Sequence, residues 1–368
     1  MTDGIFWNER TFEAAKLLEG ALSGDRKDKN AFFEALVTTD LPAALTPALN
    51  KKVLDEYERI PVAWEAFAER ELVDDFRPQE VARMGLTGDG IPASTSGEEF
   101  VPDILPRVEE LGEYPLLGIR GSDVSFKTQK NGVRFALSWE SIVNNRDLRL
   151  IERAISKFAS MSREKEEYLA TWQYVTSSGI NTANLTSGAL GTNDNLLSGN
   201  PVLSAASLED AWIQATQHEI DGQRIRMPAR MNLIVPSALA FEAERILSRN
   251  VVTDLPGSGS GVAYEGPNPL SGRFDVVVND WFSVLDSTNG ATTWMIAPKP
   301  GAFDMGGAAL AFLRGHENPR YFVRNTHNGN PADGDFDLDA YETKVRHIVG
   351  PAWRGINAGI VISNGSKS

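Results

Sequence analysis

The sequence predicts an α+β fold, and three observations carry the prediction. The first ninety or so positions read as short helical pieces, and from Gly112 the pattern turns to alternating strands. A single amphipathic run then extends from Leu148 to Ser177. The remainder is a series of strand-like runs: FDVVVND, TTWMIA, ALAFLRG, RYFVRN, YETKVRHIVG and AGIVIS. No internal repeat is visible, and 368 residues suffice for two or three domains or for one elongated body with insertions.

In the helical N-terminal region, Leu45, Leu49, Val53, Leu54 and Tyr57 recur at helical spacing, with Pro42 and Pro47 as punctuation. A second segment, VAWEAFAERELVDDF, carries Trp64 and Phe67. Both pieces are too thin to bury a core of their own and need another surface to lie on. TGDGIPASTSGEEF (87–100) reads as a loop or linker. In SDVSFKTQ, Val124 and Phe126 alternate with polar residues, as Val133, Phe135 and Leu137 do in GVRFALS. Asn131-Gly132 between them tolerates the positive φ angles of a type I′ turn, which predicts a β-hairpin. Two strands alone are marginal in water, so the hairpin must lean on its own body or on a neighbour.

Asp147 is the expected N-cap of the long helix. Its apolar stripe runs Ile151, Ile155, Phe158, Met161, Tyr168, Trp172 and Val175, while Arg163, Glu164, Glu166 and Glu167 mark the polar face. At about 1.5 Å per residue such a helix spans roughly 45 Å. SSGINTANLTSGALGTNDN follows as a polar loop. SLEDAWIQATQHEIDG then reads as a helix capped by Ser207 and ended near Gly222. MNLIVPSALAFEAERILSR is a short buried strand from Leu233 to Val235, then a helix opened by Pro236; residues 254–272 form a Gly/Ser/Pro loop.

The formal net charge is −14, from 36 basic and 50 acidic residues, so the surface as a whole repels phosphate backbones. Zero cysteines exclude disulfides, thiolate catalysis and Cys-ligated zinc. MTDGIFWNERTFEAAK has neither the basic start nor the apolar run of a signal peptide, and no apolar run is long enough to span a bilayer, so a soluble, intracellular product is expected. There is no Walker loop, nucleophile elbow or H-E-x-x-H. His218, His316, His327 and His347 are scattered, and structural hydrogen bonding is the plain reading for those in or beside strands. DGDFDLDAYE resembles a calcium loop through Asp333, Asp335 and Asp337, but Leu338 stands where that loop needs glycine. GSGSG (257–261) is a linker pattern. The expectation is therefore a protein with no catalytic, metal-binding or cofactor-binding residues.

The order of several local signatures resembles the major capsid proteins of tailed bacteriophages, with the Hong Kong 97 fold, and most closely their Mu-like major head branch. These are VDDFRPQEVARMG, VEELGEYPLL, VRFALSWESIVNNRDL, DGQRIRMPARMNLIVPSALAFEAERIL, WMIAPKP, FLRGHENP and KVRHIVGPAWRG. The resemblance implies an N-terminal arm at 1–110, which embraces neighbouring subunits and has Trp64 and Phe67 among its anchors. It implies an extended hairpin loop at 111–139 lying across the adjacent subunit, including Phe126, Lys127, Lys130, Asn131, Gly132 and Phe135. A peripheral domain would comprise 140–184 and 296–345, with a spine helix carrying Asp147, Ile151, Ile155, Phe158 and Trp172. The loop THNGNPADGDFD (326–337) would approach a three-fold contact. An axial domain would comprise 185–295 and 346–368.

Asn144-Asn145-Arg146-Asp147-Leu148 departs from the Asn-Asp-Asp-Leu run common before the spine, which leaves the helix register open. Some members of the fold weld subunits through Lys–Asn bonds; solvated turn residues are the plainer reading of Lys127 and Lys130. The implied function is self-assembly, as hexamers and pentamers, into an icosahedral shell around double-stranded DNA held without sequence-specific contacts. Portal and scaffold proteins are the further partners implied; no cofactor and no membrane are. Assembly would take place in the host cytoplasm, with the virion as destination. An encapsulin shell is the alternative, favoured less because of the long arm and hairpin, and an unrecognised enzyme is a third reading.

Overall fold

Strand pairing, more than strand content, sets the architecture. The computed structural model describes residues 16, 41–86, 110, 117–138, 148–185, 194–220, 223–224, 226–248, 251–252, 264–265, 268–302, 307–324, 340–355 and 357–366. Its main helices are α1 (Leu41–Arg59), α2 (Leu148–Trp172), α3 (Ala205–Thr216), α4 (Ser237–Ser248) and α5 (Trp281–Leu285), with a 3₁₀ turn at Trp64–Ala66. The strands longer than two residues are β1 (Ala68–Val73), β2 (Gln79–Leu86), β3 (Leu117–Phe126), β4 (Lys130–Ser138), β5 (Met231–Val235), β6 (Phe274–Val278), β7 (Trp294–Pro298), β8 (Ala308–Leu313), β9 (Arg320–Val323), β10 (Ala340–Trp353) and β11 (Val361–Ser363). The α+β class expected from the sequence holds, and each of the six C-terminal runs forms a strand.

Two sheets form the body. The first is ordered β1-β8-β10-β9, with β4 also paired to β10. β1 runs parallel to β8, while β8 and β9 are antiparallel to successive parts of the 14-residue β10. The second sheet is ordered β6-β5-β7-β11, and α4 crosses over between the parallel strands β5 and β6. Alternation along β5 explains why it sits between two layers. Leu233 and Val235 join a core with α3 and α4, and Ile234 turns to a second core shared with α2 and the first sheet.

β4 is where the expected hairpin fails. It pairs with β10 over nine residue pairs, from Lys130↔Ile348 to Ser138↔Ala340, and makes no ladder with β3, which pairs with β2. Asn131-Gly132 therefore lies inside a strand. Asn131 Nδ2 donates to Val349 O at 3.0 Å, and a Cβ on Gly132 would fall 2.5 Å from Val345 O. The glycine answers a close strand crossing, which a turn pattern read locally does not reveal.

The N-terminal anchors also belong elsewhere. Trp64 and Phe67 are buried in this subunit's own core with Leu169, Tyr174, Phe312 and Val349, so they are not free to strap a neighbour. VAWEAFAERELVDDF is a 3₁₀ turn followed by β1, because β8 supplies a ladder that helical spacing cannot show. α1 runs through Pro47, and Pro42 falls in its first turn, where a missing N–H costs little. Leu49, Val53 and Tyr57 on α1 are buried, and Asn50 exchanges hydrogen bonds with the backbone of Tyr321 (3.0 and 2.7 Å), sealing the β9 edge.

The long helix ends at Trp172 rather than Ser177. Ile155 and Phe158 are buried as expected, but Met161 and Trp172 are about two-fifths exposed, and Glu166 is wholly buried. Asp147, the side chain of Ile151, the 326–337 loop and the Asp333–Asp337 run lie outside the described residues. α3 is capped by Ser204, not Ser207: Ser207 occupies the third helical position and returns its hydroxyl to the Ser204 N–H at 2.8 Å, completing a capping box. The expected domain boundary at 345/346 falls inside β10, which stays in the first sheet throughout.

Candidate assembly surfaces and the polar cluster behind them

Beyond its root, the β2–β3 ribbon pairs with nothing else among the described residues. Its register runs from Gln79↔Phe126 to Leu86↔Leu117, with an irregularity between Glu80 and Ala82. Eight residues at about 3.3 Å each carry β2 roughly 26 Å from its start. The root is fixed. Phe126 packs on Val73, Ala309, Ala311 and Ala352, and Asp75 accepts from the Arg77 N–H (2.9 Å), Arg77 Nε (2.6 Å) and Gln79 Nε2 (3.0 Å). Those bonds, the Arg77 side chain first, hold the Asp75 carboxyl below its usual range. Thr128, buried, donates to Asp75 O at 3.4 Å, and the chain crosses β10 at Gly350, where a Cβ would meet Lys127 O at 2.3 Å.

β4 forms the open edge of the first sheet. Alternate backbone groups turn away from β10, including those of Gly132, Arg134 and Ala136, and these residues are exposed. Lys127 and Lys130 are exposed as well, while Phe126, Asn131 and Phe135 are half-buried. The ribbon residues singled out from the sequence thus divide between the ribbon root and the sheet edge. Glu342, nearly buried, anchors this edge through Arg134 (3.5 Å) and Arg324 (2.6 Å).

Behind these surfaces lies a cluster that helical periodicity concealed. Glu166 of α2 accepts from the Tyr57 hydroxyl of α1, from Trp64 Nε1 at 3.1 Å, from Arg163 Nη1 at 3.1 Å and from His347 Nε2 of β10 at 2.8 Å. Burial alone would raise the Glu166 carboxyl; the His347 bond and charge, Tyr57 and Arg163 outweigh it, and the group stays below the usual range. Burial, then the Glu166 charge, push the Tyr57 phenol up, so it remains a donor. Glu167, one position on, accepts from the N–H groups of Ala63 and Trp64 and holds the start of the 3₁₀ turn. Burial raises its carboxyl to about 7 despite those bonds.

On the sheet's flank, Arg354, the residue after β10, bridges Glu69 (2.5 Å) and Glu71 (2.6 Å) of β1. His218 is buried just beyond α3, between Asp194 O (3.0 Å) and the Gly359 N–H (2.9 Å). The signal for the Glu166 cluster was present in KVRHIVG and EKEEY, but it emerges only when β10 is laid on α2. No group of His, Cys, Asp and Glu able to hold a metal ion occurs among the described residues, and no helix among them is long and apolar enough to cross a membrane.

Among the described residues, β4 and the β2–β3 ribbon each keep a side without a partner strand, and strand edges of this kind can pair with another chain. The chain belongs to the phage capsid protein family, whose sequence profile matches residues 121–359. None of the curated proteins matches it. Among solved structures it is similar to that of Mycobacterium phage Patience (16% identity, 89% of each chain covered, TM-score 0.44). It is also similar to the capsid of cyanophage Pam1 (12%, 81% of this chain and 89% of that one, TM-score 0.43) and to the SrpI encapsulin of Synechococcus elongatus PCC 7942 (8%, 83% and 89%, TM-score 0.44).

Proposed function

We propose that this chain is the major head protein of a tailed phage, assembling with copies of itself into the icosahedral shell around double-stranded DNA. Family membership over residues 121–359 carries the reading and favours a phage shell over an encapsulin. The role is structural. A net charge of −14 suits a wall that encloses DNA without gripping it, and portal and scaffold proteins are the further partners we assign.

The joint between subunits is the β2–β3 ribbon together with the β4 edge, in place of a hairpin at 111–139. The first sheet with α1 and α2 serves as the peripheral domain, and the second sheet with α3 and α4 as the axial domain. Of the arm, the segment before α1 is the part left to reach neighbours. Negative-stain microscopy of the expressed protein should show closed shells. Replacing residues 81–122 by a short Gly/Ser link, which spares the root pairs Gln79↔Phe126 and Glu80↔Ser125, should leave a folded subunit that makes no stable shell. Unfolding of that variant would place the ribbon in the core and remove it from the joint.

A further inference from the structure

Acidic groups outnumber basic ones in this chain, 50 to 36, yet three basic groups stand in a row at one end of the second sheet. In register, Met231 of β5 pairs with Phe274 of β6 on one side and with Pro298 of β7 on the other. The next positions along those strands therefore set Arg273, Arg230 and Lys299 side by side on three adjacent strand ends. At about 4.8 Å between strands, the row is roughly 10 Å long. All three residues are exposed, and Arg226, also exposed, stands four positions ahead of Arg230.

Both guanidinium groups are held in place. Arg230 Nε donates to Gly272 O at 2.9 Å, and Arg273 Nε donates to Pro269 O at 3.0 Å. Arg273 also lies over the Trp212 ring, 5.2 Å from its centre. Such bonds orient the planar fork and leave its terminal amino groups for a ligand. Among the described residues the one carboxylate in ion-pair range of the row is Asp275, 2.5 Å from Lys299 Nζ and 4.0 Å from Arg230 Nη1. Glu209, one turn before Trp212 on α3, feels Asp210 and none of these cations. Glu69 accepts from the Gly301 N–H at 2.6 Å but is matched by Arg354. Three cations against one carboxylate leave the row positive on a chain of net charge −14.

We propose that the Arg273–Arg230–Lys299 row is a docking point for the phosphate backbone of duplex DNA. A guanidinium fork donates to phosphates and carboxylates alike, so charge density decides between them. Duplex DNA carries one charge per ~1.7 Å of its axis, or about six along the row. An extended acidic peptide sets same-face carboxylates about 6.6 Å apart, which brings about two of them to the row. The duplex is the ligand that engages all three cations together. Contact with phosphate alone carries no sequence preference. The inference rests on the shell reading for its natural ligand, and it adds the place where an acidic wall touches what it encloses.

Fluorescence anisotropy of a short labelled duplex, titrated with the full-length chain across a salt series, tests this. With three phosphate contacts, affinity should fall about 20-fold between about 50 and 150 mM salt. Arg273→Gln should weaken binding and reduce that fall to about sevenfold. Arg245→Gln, on α4 and paired with Glu242 of its own helix, should leave both unchanged. Asp275→Asn removes the carboxylate that answers Lys299 and Arg230, so it should tighten binding. A misfolded chain does not imitate that gain.

Equal weakening by Arg245→Gln and Arg273→Gln would show diffuse attraction with no docking point, and would overturn the proposal. So would displacement of the duplex by poly-glutamate at equal charge concentration, which would assign the row to an acidic segment of a protein. Negative-stain microscopy keeps the two readings apart. Arg273→Gln should still form closed shells, and normal shells with an unchanged salt dependence would refute the row alone. Wild-type protein that makes no shells would refute the shell reading, while the duplex contact would still stand or fall on the anisotropy.

Discussion

The two sheets share one apolar core and differ in what else holds each of them. Around the second sheet the core with α3 and α4 is apolar, with Met231, Leu233, Val235, Trp294, Ile296 and Val361 buried, and its polar groups are neutral and locally satisfied; Trp294 Nε1, for example, donates to Pro201 O at 3.1 Å. The first sheet instead closes over charge. Glu166 binds Tyr57, Trp64, Arg163 and His347 out of water, and Arg354 clasps Glu69 and Glu71. Apolar burial is non-directional and tolerates small shifts. A buried carboxylate with donors from α1, the 3₁₀ turn, α2 and β10 fixes how those elements sit relative to one another, at the risk that losing any partner strands a charge. The rigid, directional core stands behind the ribbon and the open edge, where a joint needs defined geometry.

The sharpest way to break this contrast is Glu166→Ala against Leu233→Ala. Removing Glu166 leaves His347, Trp64 and Tyr57 without their acceptor and should cost about 3–5 kcal/mol in denaturant unfolding of the subunit. Leu233→Ala should cost about 2–5 kcal/mol by cavity formation, with a cost that does not change with pH. Comparable pH-independence for both variants would show that the Glu166 cluster is not charged as described.

A smaller effect is expected at the strand crossing. Gly132→Ala places a Cβ 2.5 Å from Val345 O, so β4 must move off β10, at about 1–3 kcal/mol. Amide exchange should quicken along β4 and the facing part of β10 while the second sheet is unchanged. A silent Gly132→Ala would count against the close crossing of β4 and β10.

The smallest effect is the pH profile. The Glu167 carboxyl, raised to about 7 in the folded chain, contributes stability at low pH that is lost as pH rises through about 7. Glu166, depressed, contributes stability at neutral pH that is lost as pH falls below the ordinary carboxylate range. The melting temperature should therefore rise from pH 8 to pH 6 and fall again in acid. Glu167→Gln should flatten the alkaline limb alone, and an unchanged limb would count against a proton on Glu167.

The sequence by itself determined most of the C-terminal strands and where the long helix begins, because alternation and 3.6-residue spacing are local properties of a buried face. The six C-terminal strands, the strand leading to Pro236 and the helix after Leu148 were legible for that reason, and so was the family, through motifs kept in order. Partnership was left to the tertiary structure. Asn131-Gly132 satisfies the rules for a turn and for a close crossing equally well, and only the presence of β10 selects the second. Trp64 and Phe67 are apolar wherever they dock; β1 pairing with β8 brings them home to their own subunit. Glu166 sits with charged neighbours on what reads as a solvent face, and it is buried because α1, the 3₁₀ turn and β10 converge on that side of α2 and bring three of its four donors. A carboxylate becomes affordable in a core only when its partners arrive from distant parts of the chain, and distance along the chain is what local periodicity does not record.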